Sequence, residues 1–240
     1  MGFKMKDAII ELENVWKTYQ IGEVKVNALR GLDLKVEKGE FLAIMGPSGS
    51  GKSTMVNMVG ALDVPSKGKI LLEGHDISKL SESELAQLRG KKIGFIFQQF
   101  NLINTLSALE NVTLPMVFQN IEKEKRAERA KHILNMVGLG DRIYHKPTEL
   151  SGGQQQRVAI ARSLANNPDV VLADEPTGNL DSATGETVMG FLENLNRKEG
   201  KTIIMVTHDE NIAHHADRIE FLKDGMVIKS LKNRKGGGKK

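Results

Sequence analysis

Eight consecutive residues around position 50 have the composition of a phosphate-binding loop. They match the pattern GxxxxGK[ST], and they follow a predicted buried strand and open a predicted helix, which is the context this pattern requires. Glycines let backbone N–H groups surround phosphate oxygens, and the helix N-terminus adds a favourable dipole. The lysine can neutralise β- and γ-phosphates, and the serine after it can be a ligand of Mg²⁺. The residues are Gly46, Pro47, Ser48, Gly49, Ser50, Gly51, Lys52 and Ser53, with Thr54 next in the helix.

Two acidic residues follow another apolar run. Asp174 and Glu175 come directly after the four apolar residues at 170–173. The carboxyl end of a buried parallel strand opens onto the crevice in which α/β proteins bind ligands. We therefore expect Asp174 to hold Mg²⁺, directly or through its water. Glu175 is predicted to be the general base that polarises an attacking water.

A second anion site is predicted at the start of a different helix. A Ser-Gly-Gly-Gln segment precedes a helix predicted over 155–165, and such a helix end presents free N–H groups to an anion. The residues of this segment are Ser151, Gly152, Gly153 and Gln154. A single chain with two phosphate-reading helix ends is unusual, which makes this segment informative about function.

Apolar runs and alternation predict the elements that position these residues. Strands are predicted at 8–12, 32–36, 41–45, 170–173, 203–206 and 226–230, with a hairpin at 69–75. Helices are predicted at 122–137, 155–165 and 183–197. Strands and helices that alternate at these lengths predict an α/β core. A mainly helical segment at about 98–165 is predicted to be inserted between the two halves of that core, 1–97 and 166–228.

The composition excludes several classes of protein. The chain has 240 residues, of which 40% are hydrophobic and 27% charged, as in ordinary globular proteins. It has no cysteine, which excludes disulfides, thiolate metal sites and a cysteine nucleophile. No run approaches the roughly 20 apolar residues of a membrane span, and the first residues lack the features of a signal peptide. A cytoplasmic location is therefore expected.

The formal net charge of +4 is concentrated at one end of the chain. Six basic residues and no acid lie within 229–240, which leaves 28 basic against 30 acidic residues elsewhere. A nucleic-acid binder needs a basic face on its folded domain, so no nucleic-acid partner is expected. The segment 229–240 is predicted to be a disordered tail. It is either simply solvated or weakly attached to anionic lipid.

The motifs together resemble the ATP-binding-cassette (ABC) ATPase family. The most specific segment is LSGGQQQRVAIARSL at 150–164, and the resemblance covers about 10–225. It implies a P-loop NTPase fold: an ABC nucleotide-binding domain with an antiparallel β subdomain and an inserted helical subdomain, forming one domain over 1–228. It also implies ATP and Mg²⁺ as ligands and hydrolysis of the γ-phosphate. In the ATP-bound homodimer, Ser151 to Gln154 of one chain would face the nucleotide of the other.

Further roles are implied by the same resemblance. Gln98 looks like the glutamine that senses Mg²⁺ and water and couples to the transport partner, with Gln99 as the alternative register. His208 looks like the histidine that contacts the γ-phosphate. Asp181 resembles a residue of the loop that crosses the dimer, although it is also placed to cap the following helix. Tyr19 sits where the family stacks an aromatic ring on adenine.

Finer features resemble the lipoprotein-releasing and macrolide-exporter (LolD/MacB-type) group. They are ALENV at 108–112, His-Lys-Pro at 145–147 and ADEPTGNLDSATGE at 173–186; Asn104 departs from the proline usual in these relatives. The implied partner is an integral membrane permease (FtsX/MacB-like), docked around 98–117 at the cytoplasmic face, for lipoprotein release or export of peptides or macrolides. An FtsE-type cell-division ATPase and the ATPase of an amino-acid importer are the alternatives. The FtsE type typically has Gly-Glu where this chain has Gly153-Gln154.

Overall fold

The structure is a computed structural model that describes residues 8–233. The strands of this part of the chain are β1 (Ala8–Ile21), β2 (Val24–Glu37), β3 (Phe41–Met45), β4 (Lys67–Leu72), β5 (His75–Asp76), β6 (Ile93–Ile96), β7 (Val170–Asp174), β8 (Thr202–Val206), β9 (Arg218–Lys223) and β10 (Met226–Lys232). The helices are α1 (Lys52–Val59), α2 (Glu82–Lys92), α3 (Ala108–Val117), α4 (Lys123–Met136), α5 (Gly152–Ser163), α6 (Ser182–Glu199) and α7 (Glu210–Ala213).

A six-stranded sheet forms the centre of the fold, in the order β10-β9-β3-β8-β7-β6. Its strands are parallel except β10, which pairs antiparallel with β9. The predicted buried strands are confirmed, because every side chain of β3 and β8 is buried. Since β3, β8 and β7 are neighbours, the loops that follow them meet at one edge of the sheet.

A four-stranded antiparallel sheet, in the order β2-β1-β4-β5, lies at the N-terminal side of the sequence. This confirms the expected antiparallel β subdomain. The strands predicted at 8–12 and 32–36 are the inner parts of two longer strands, β1 and β2, each of 14 residues. The distal parts of both strands are largely exposed, so their side chains lack the apolar alternation that predicts a strand.

The hydrophobic core consists of two clusters on opposite faces of the six-stranded sheet. Successive side chains of β3 alternate between them: Phe41 belongs to one cluster and Leu42 to the other. The Phe41 cluster also contains Val112 of α3, Leu134 of α4 and Val158 of α5. The helices of 98–165 therefore share a core with the sheet. The division of the chain at 97 and 166 stays a prediction.

The helices predicted from the sequence are present at the expected positions, but their ends differ from the predicted ones. The helix predicted at 122–137 is α4, and the one predicted at 183–197 is α6. The helix predicted at 155–165 begins earlier, as α5, because Ser151 forms a capping box with Gln154. The sequence pattern does not predict α2, in which Leu85 is the only buried residue. One buried side chain leaves no apolar periodicity to detect.

The predicted start of the tail at 229 is wrong. Strand β10 continues to Lys232, and Leu231 pairs with Ile219 of β9. The ammonium of Lys229 lies 5.4 Å from the centre of the Phe221 ring. Composition alone misplaced the boundary, because an exposed edge strand tolerates lysines as a tail does. Residues 234–240, and with them the predicted disorder and lipid contact of the tail's end, lie outside the described residues.

Candidate nucleotide site

The phosphate-binding loop lies between β3 and α1, and its glycines are required by close backbone contacts. A Cβ atom on Gly46 would lie 2.2 Å from the carbonyl oxygen of Leu222. A Cβ atom on Gly51 would lie 2.6 Å from the carbonyl oxygen of Ala28, and Gly51 has a left-handed φ of 102°. Bulkier residues would push the loop away from β2 and β9, so the sequence pattern at this point is dictated by the packing.

Lys52 is folded onto this loop. Its ammonium donates hydrogen bonds to the carbonyl oxygens of Gly46 at 2.7 Å and Pro47 at 2.9 Å. These bonds use two of its three donors and fix a positive charge inside the curve of the loop. The loop therefore presents both a cation and a helix N-terminus at the same place, which suits a multiply charged phosphate.

The two acidic residues at the end of β7 have different surroundings. Burial and the neighbouring charge of Glu175 raise the pKa of Asp174, and the attraction of Lys52 opposes this shift. Glu175 is hydrogen-bonded through its Oε1 to Nδ1 of His208 at 2.9 Å. Its own N–H donates to the carbonyl oxygen of Val206, and its φ of 45° is left-handed. The backbone strain therefore falls on the residue predicted to be the general base.

Gln98 is the glutamine that approaches the acidic pair. A Cβ atom on Gly178 would lie 2.9 Å from Nε2 of Gln98 and 3.3 Å from Oε2 of Glu175, so both side chains converge on this glycine. Asn179 donates a hydrogen bond to the carbonyl oxygen of Gln98 at 2.8 Å. Gln98 lines the cavity around the loop, and Gln99 is not part of its described lining. The geometry favours the register that places Gln98 in the site.

One open cavity of about 710 Å³ joins the predicted residues. Its lining includes the loop from Gly46 to Thr54 except Ser50, together with Gln98, Asp174, Glu175 and His208. Ser50 is buried instead, and its hydroxyl has no hydrogen-bond partner among the described residues. The four side chains beyond the loop come from three separate segments, at the ends of β6, β7 and β8, and the fold brings all of them to this one edge.

The cavity also has walls that the sequence analysis missed. Val26, Asn27 and Ala28 of β2 line one side, and Asp224 and Gly225 of the β9–β10 turn line another. None of them belongs to a motif with a chemical signature, so only the fold reveals them. A backbone hydrogen bond from Arg30 N–H to the carbonyl of Gly225 joins these two walls at 3.0 Å.

Tyr19 stands beside the cavity and is not part of its described lining. It lies on β1 opposite Val26, which does line the cavity. Its phenol donates to Asp63 Oδ2 at 3.2 Å and is hydrogen-bonded to Thr54. Burial first, and then the charge of Asp63, raise the pKa of this phenol. The ring is thus tied to the first turn of α1.

The Ser151 segment lies outside the described lining of the cavity of its own chain. Ser151 is the N-cap of α5: its hydroxyl accepts from Gln154 N–H at 3.3 Å, and Gln154 Oε1 accepts from Ser151 N–H at 2.9 Å. Ser151 and Gly152 are exposed, and none of the four residues 151–154 belongs to the described cavity lining. Gly153 packs on α6, where a Cβ atom would lie 2.3 Å from the Thr184 methyl carbon.

Asp181 is the N-cap of α6, as one of its two predicted roles requires. Its Oδ1 accepts from Thr184 N–H at 3.0 Å, and its Oδ2 accepts from the Thr184 hydroxyl at 2.6 Å. These hydrogen bonds hold the pKa of Asp181 below its usual range. The residue is exposed and lies outside the described cavity lining, so its predicted position across a dimer stays a prediction.

Two residues of α5 that the sequence analysis did not single out connect it to the cavity's loops. The fully buried Gln156 donates from Nε2 to the carbonyl oxygen of Pro176 at 2.6 Å, next to Glu175. Arg162 donates to the carbonyl oxygens of Phe100 and Asn101, just after Gln98. Both lie within the segment 150–164 that carries the family resemblance, but only the fold identifies their partners.

Comparisons with known proteins agree with this geometry. A family profile described as "ABC transporter" matches residues 29–178. An ABC transporter ATP-binding protein of Methanocaldococcus jannaschii, MJ1508, is 56% identical over 93% of this chain and 99% of its own length. The macrolide export ATP-binding/permease protein MacB of a Shewanella species is 50% identical over 93% of this chain and 34% of its own length.

A solved structure gives the same result. The dimeric post-hydrolysis structure of the ATP-binding cassette MJ0796, bound to ADP and Pi, has a TM-score of 0.87 and 51% identity, covering 94% of this chain and 99% of that one; MJ0796 is also from M. jannaschii. The predicted P-loop NTPase fold and the resemblance to the LolD/MacB-type group are both confirmed. The chain belongs to the ABC transporter family, as an ATP-binding, ATPase cassette.

Proposed function

We propose that this cassette hydrolyses ATP at a site shared by two copies of the chain and thereby drives an FtsX/MacB-like membrane permease. The observation that supports the catalytic part is the meeting of Lys52, Gln98, Glu175 and His208 around one cavity. Residues from four segments with complementary charge and proton-transfer chemistry would have no common purpose on a purely structural surface.

The phosphates of ATP would be bound by the loop from Gly46 to Ser53, and the base would stack on Tyr19. The loop supplies backbone N–H groups, the α1 N-terminus and the ammonium of Lys52. On binding, Lys52 would exchange its hydrogen bonds with loop carbonyls for stronger ones with phosphate oxygens. Thr54, which lines the cavity, would complete the contacts at the start of α1.

The residues present fit a magnesium ion. Residues 8–233 contain no group of three or more His, Cys, Asp or Glu side chains placed to hold a metal, so its protein ligands would be of mixed kinds. Ser53, Gln98 and Asp174 offer hydroxyl, amide and carboxylate oxygens, which suit this hard cation. Asp174 is a half-buried carboxylate with a raised pKa, and a cation would compensate its charge. Bound Mg²⁺ neutralises phosphate charge.

Water activation would fall to Glu175. Its Oε1 is 2.9 Å from His208 Nδ1, while its Oε2 and the Gln98 amide both lie close to Gly178. In this role Glu175 accepts a proton from the attacking water, and His208 stabilises the charge that develops at the γ-phosphate. Gln98, whose amide also lies close to Gly178, would orient the water and transmit the state of the site to the permease.

The second half of each site would come from another copy of the chain. Ser151 to Gln154 form a capped helix start that lies outside the described lining of their own cavity, and the MJ0796 cassette is described as dimeric. A head-to-tail pair would place this helix start against the partner's γ-phosphate, with Asp181 near the contact. Hydrolysis would then require association of two chains.

A membrane permease is proposed as the other partner. The MacB relative carries an ATP-binding and a permease part in one protein, and this chain spans about a third of it, which supports a permease as the partner. No helix within residues 8–233 is long and apolar enough to cross a bilayer. The docking face for the permease would lie around 98–117, where Ile103 and Val117 are exposed. Phe118, which follows Val117 in the chain, is 75% exposed. Docking there would put the cassette at the cytoplasmic face of the membrane. Co-purification tests the identity of the partner. Recovery of a permease with four transmembrane helices would support the proposal, and recovery of an importer's receptor system would contradict it.

The catalytic part is tested with Glu175→Gln. The variant should bind ATP like the parent, lose at least about 100-fold in turnover because it lacks the general base, and accumulate as an ATP-bound dimer on gel filtration. Glu128→Gln, which changes an exposed glutamate of α4, is the matched control and should keep the parent's turnover. Parental turnover in Glu175→Gln would remove Glu175 from the role of base.

A further inference from the structure

A cluster of polar side chains ties β1 to the loop after α1, next to the nucleotide cavity. Lys17 Nζ lies 2.6 Å from Asp63 Oδ1 and donates to the carbonyl oxygen of Val64 at 2.8 Å. The Val64 N–H also donates to Asp63 Oδ1, at 2.7 Å. The side chain of Lys17 is only 12% exposed and that of Asp63 29%, so this ion pair is much less solvated than an ordinary surface pair.

The cluster determines the surroundings of the Tyr19 ring. Lys17 and Tyr19 are two residues apart on β1, so both side chains project from the same face of the strand. The Lys17 ammonium lies 5.1 Å from the ring centre, in cation–π contact with one ring face. The phenol is held at its far end by Asp63 and Thr54. The ammonium contacts one face of the ring and the hydroxyl is anchored, so a planar ligand would stack on the opposite face.

We propose that the Lys17–Asp63 ion pair is a positioning device that holds the Tyr19 ring ready to stack on the base of bound ATP. The inference rests on the proposed role of Tyr19. Lys17 contacts the Tyr19 ring and Asp63 its hydroxyl, and neither residue belongs to the described cavity lining, so the pair would act through the ring. A ring that is already oriented loses less rotational freedom when the base arrives, and this raises affinity.

The pair should therefore affect only the part of the affinity that depends on the base. The probes are ATP and inorganic tripolyphosphate, which has the same chain of three phosphates and no base, each with Mg²⁺. Asp63→Asn and Lys17→Met should each raise the Kd for ATP about fivefold, the size expected for an aromatic stacking contribution, and leave the Kd for tripolyphosphate unchanged. Lys17→Arg keeps the ion pair and should restore most of the ATP affinity. Lys25→Met, at an exposed lysine of the same hairpin, is the control.

A double-mutant comparison isolates the route through the ring. In a Tyr19→Ala background, Asp63→Asn should cause no further loss of ATP affinity, because the group that it positions is gone. An additive loss there, an equal loss for tripolyphosphate, or an unchanged ATP Kd in both single variants would overturn the proposal. Failure of the parent chain to bind either probe would instead contradict the proposed function, so the two failures are distinguishable.

Discussion

Asp174 and Glu175 are adjacent in sequence, yet their side chains have opposite chemical tasks. Asp174 ends a buried strand and faces Lys52 in a half-buried position, whereas Glu175 turns through a left-handed backbone conformation toward His208. Alternation along an extended strand would separate two such side chains by the thickness of the sheet. The positive φ of Glu175 ends that alternation, and both carboxylates reach the same cavity.

The buried charge of Asp174 should lower stability when no cation is bound. Because burial and Glu175 raise its pKa, the folded chain holds this proton more tightly than the unfolded chain. The contribution of the Asp174 carboxyl to the free energy of unfolding is therefore fully present at low pH. It is lost as the pH rises through the pKa of the folded state. Asp174→Asn should raise the free energy of unfolding by about 1 kcal/mol at neutral pH without Mg²⁺, with no gain in acid, while turnover falls.

Urea unfolding at several pH values measures this effect. Asp181→Asn is the matched control, since hydrogen bonds from Thr184 lower the pKa of Asp181 and its anion is favourable. That variant should show no stabilisation at neutral pH. If Asp174→Asn is no more stable than the parent at neutral pH, the Asp174 carboxylate does not destabilise the fold.

At the scale of elements, Arg218 joins the two sheets. Its guanidinium donates to both carboxylate oxygens of Glu40, to the carbonyl oxygen of Lys35 in β2, and to Glu220 on its own strand. Glu220 is only 4% exposed, and its Oε2 has no hydrogen-bond partner among the described residues. The hydrogen bonds and charge of Glu40 raise the pKa of Arg218 despite its burial. The buried Glu220 carboxylate therefore depends on this arginine for a counter-charge.

Arg218→Met should destabilise the fold by about 3 kcal/mol, because it leaves buried carboxylates without their partner. The measurement is the midpoint of urea unfolding. Arg197→Met is the control: Arg197 pairs with Glu193 on α6 but is 53% exposed, against 16% for Arg218. It should cost less than about 0.5 kcal/mol. Equal effects of the two substitutions would contradict the dependence on burial.

The sequence predicts an element when its pattern reports burial. Strands β3, β7 and β8 are apolar runs because both of their faces are covered, and α6 shows its buried stripe at Val188, Leu192 and Leu195. The helix α2 and the distal half of the β1–β2 hairpin could not be predicted in this way. Their side chains are mostly exposed, and their conformation depends on capping and cross-strand hydrogen bonds.

The residues of the candidate site also fall into a group that the sequence could identify and a group that it could not. Residues with distinctive chemistry, such as Lys52, Glu175 and His208, could be identified from their motifs because few residue types can do those tasks. Residues that act by shape or by position could not: Ala28 and Gly225 form walls only because β2 and the β9–β10 turn meet there.

For the whole molecule, the decisive feature is that the two helix N-termini predicted to bind phosphate, those of α1 and α5, do not line the same cavity within one chain. The start of α1 opens into the cavity, whereas the start of α5, capped by Ser151, lies outside its described lining. Each helix start carries free N–H groups and a favourable dipole for an anion. A head-to-tail pair of chains, with the symmetry common for homodimers, would use both ends of both copies.

A mixing experiment tests this arrangement. Lys52→Ala removes the loop cation and Ser151→Arg obstructs the α5 helix start, so each variant alone should have little turnover. In a mixed dimer, the intact loop of the Ser151→Arg chain faces the intact α5 of the Lys52→Ala chain. An equal mixture should regain about a quarter of parental turnover per chain, because half of the dimers are mixed and each has one complete site. A mixture of Lys52→Ala with Glu175→Gln is the control. Lys52 and Glu175 belong to the same half of each site, so every site in this mixed dimer has one defective half and no turnover should be recovered. If the first mixture shows only the sum of its separate activities at every ratio, the Ser151 helix start does not act on the partner's site.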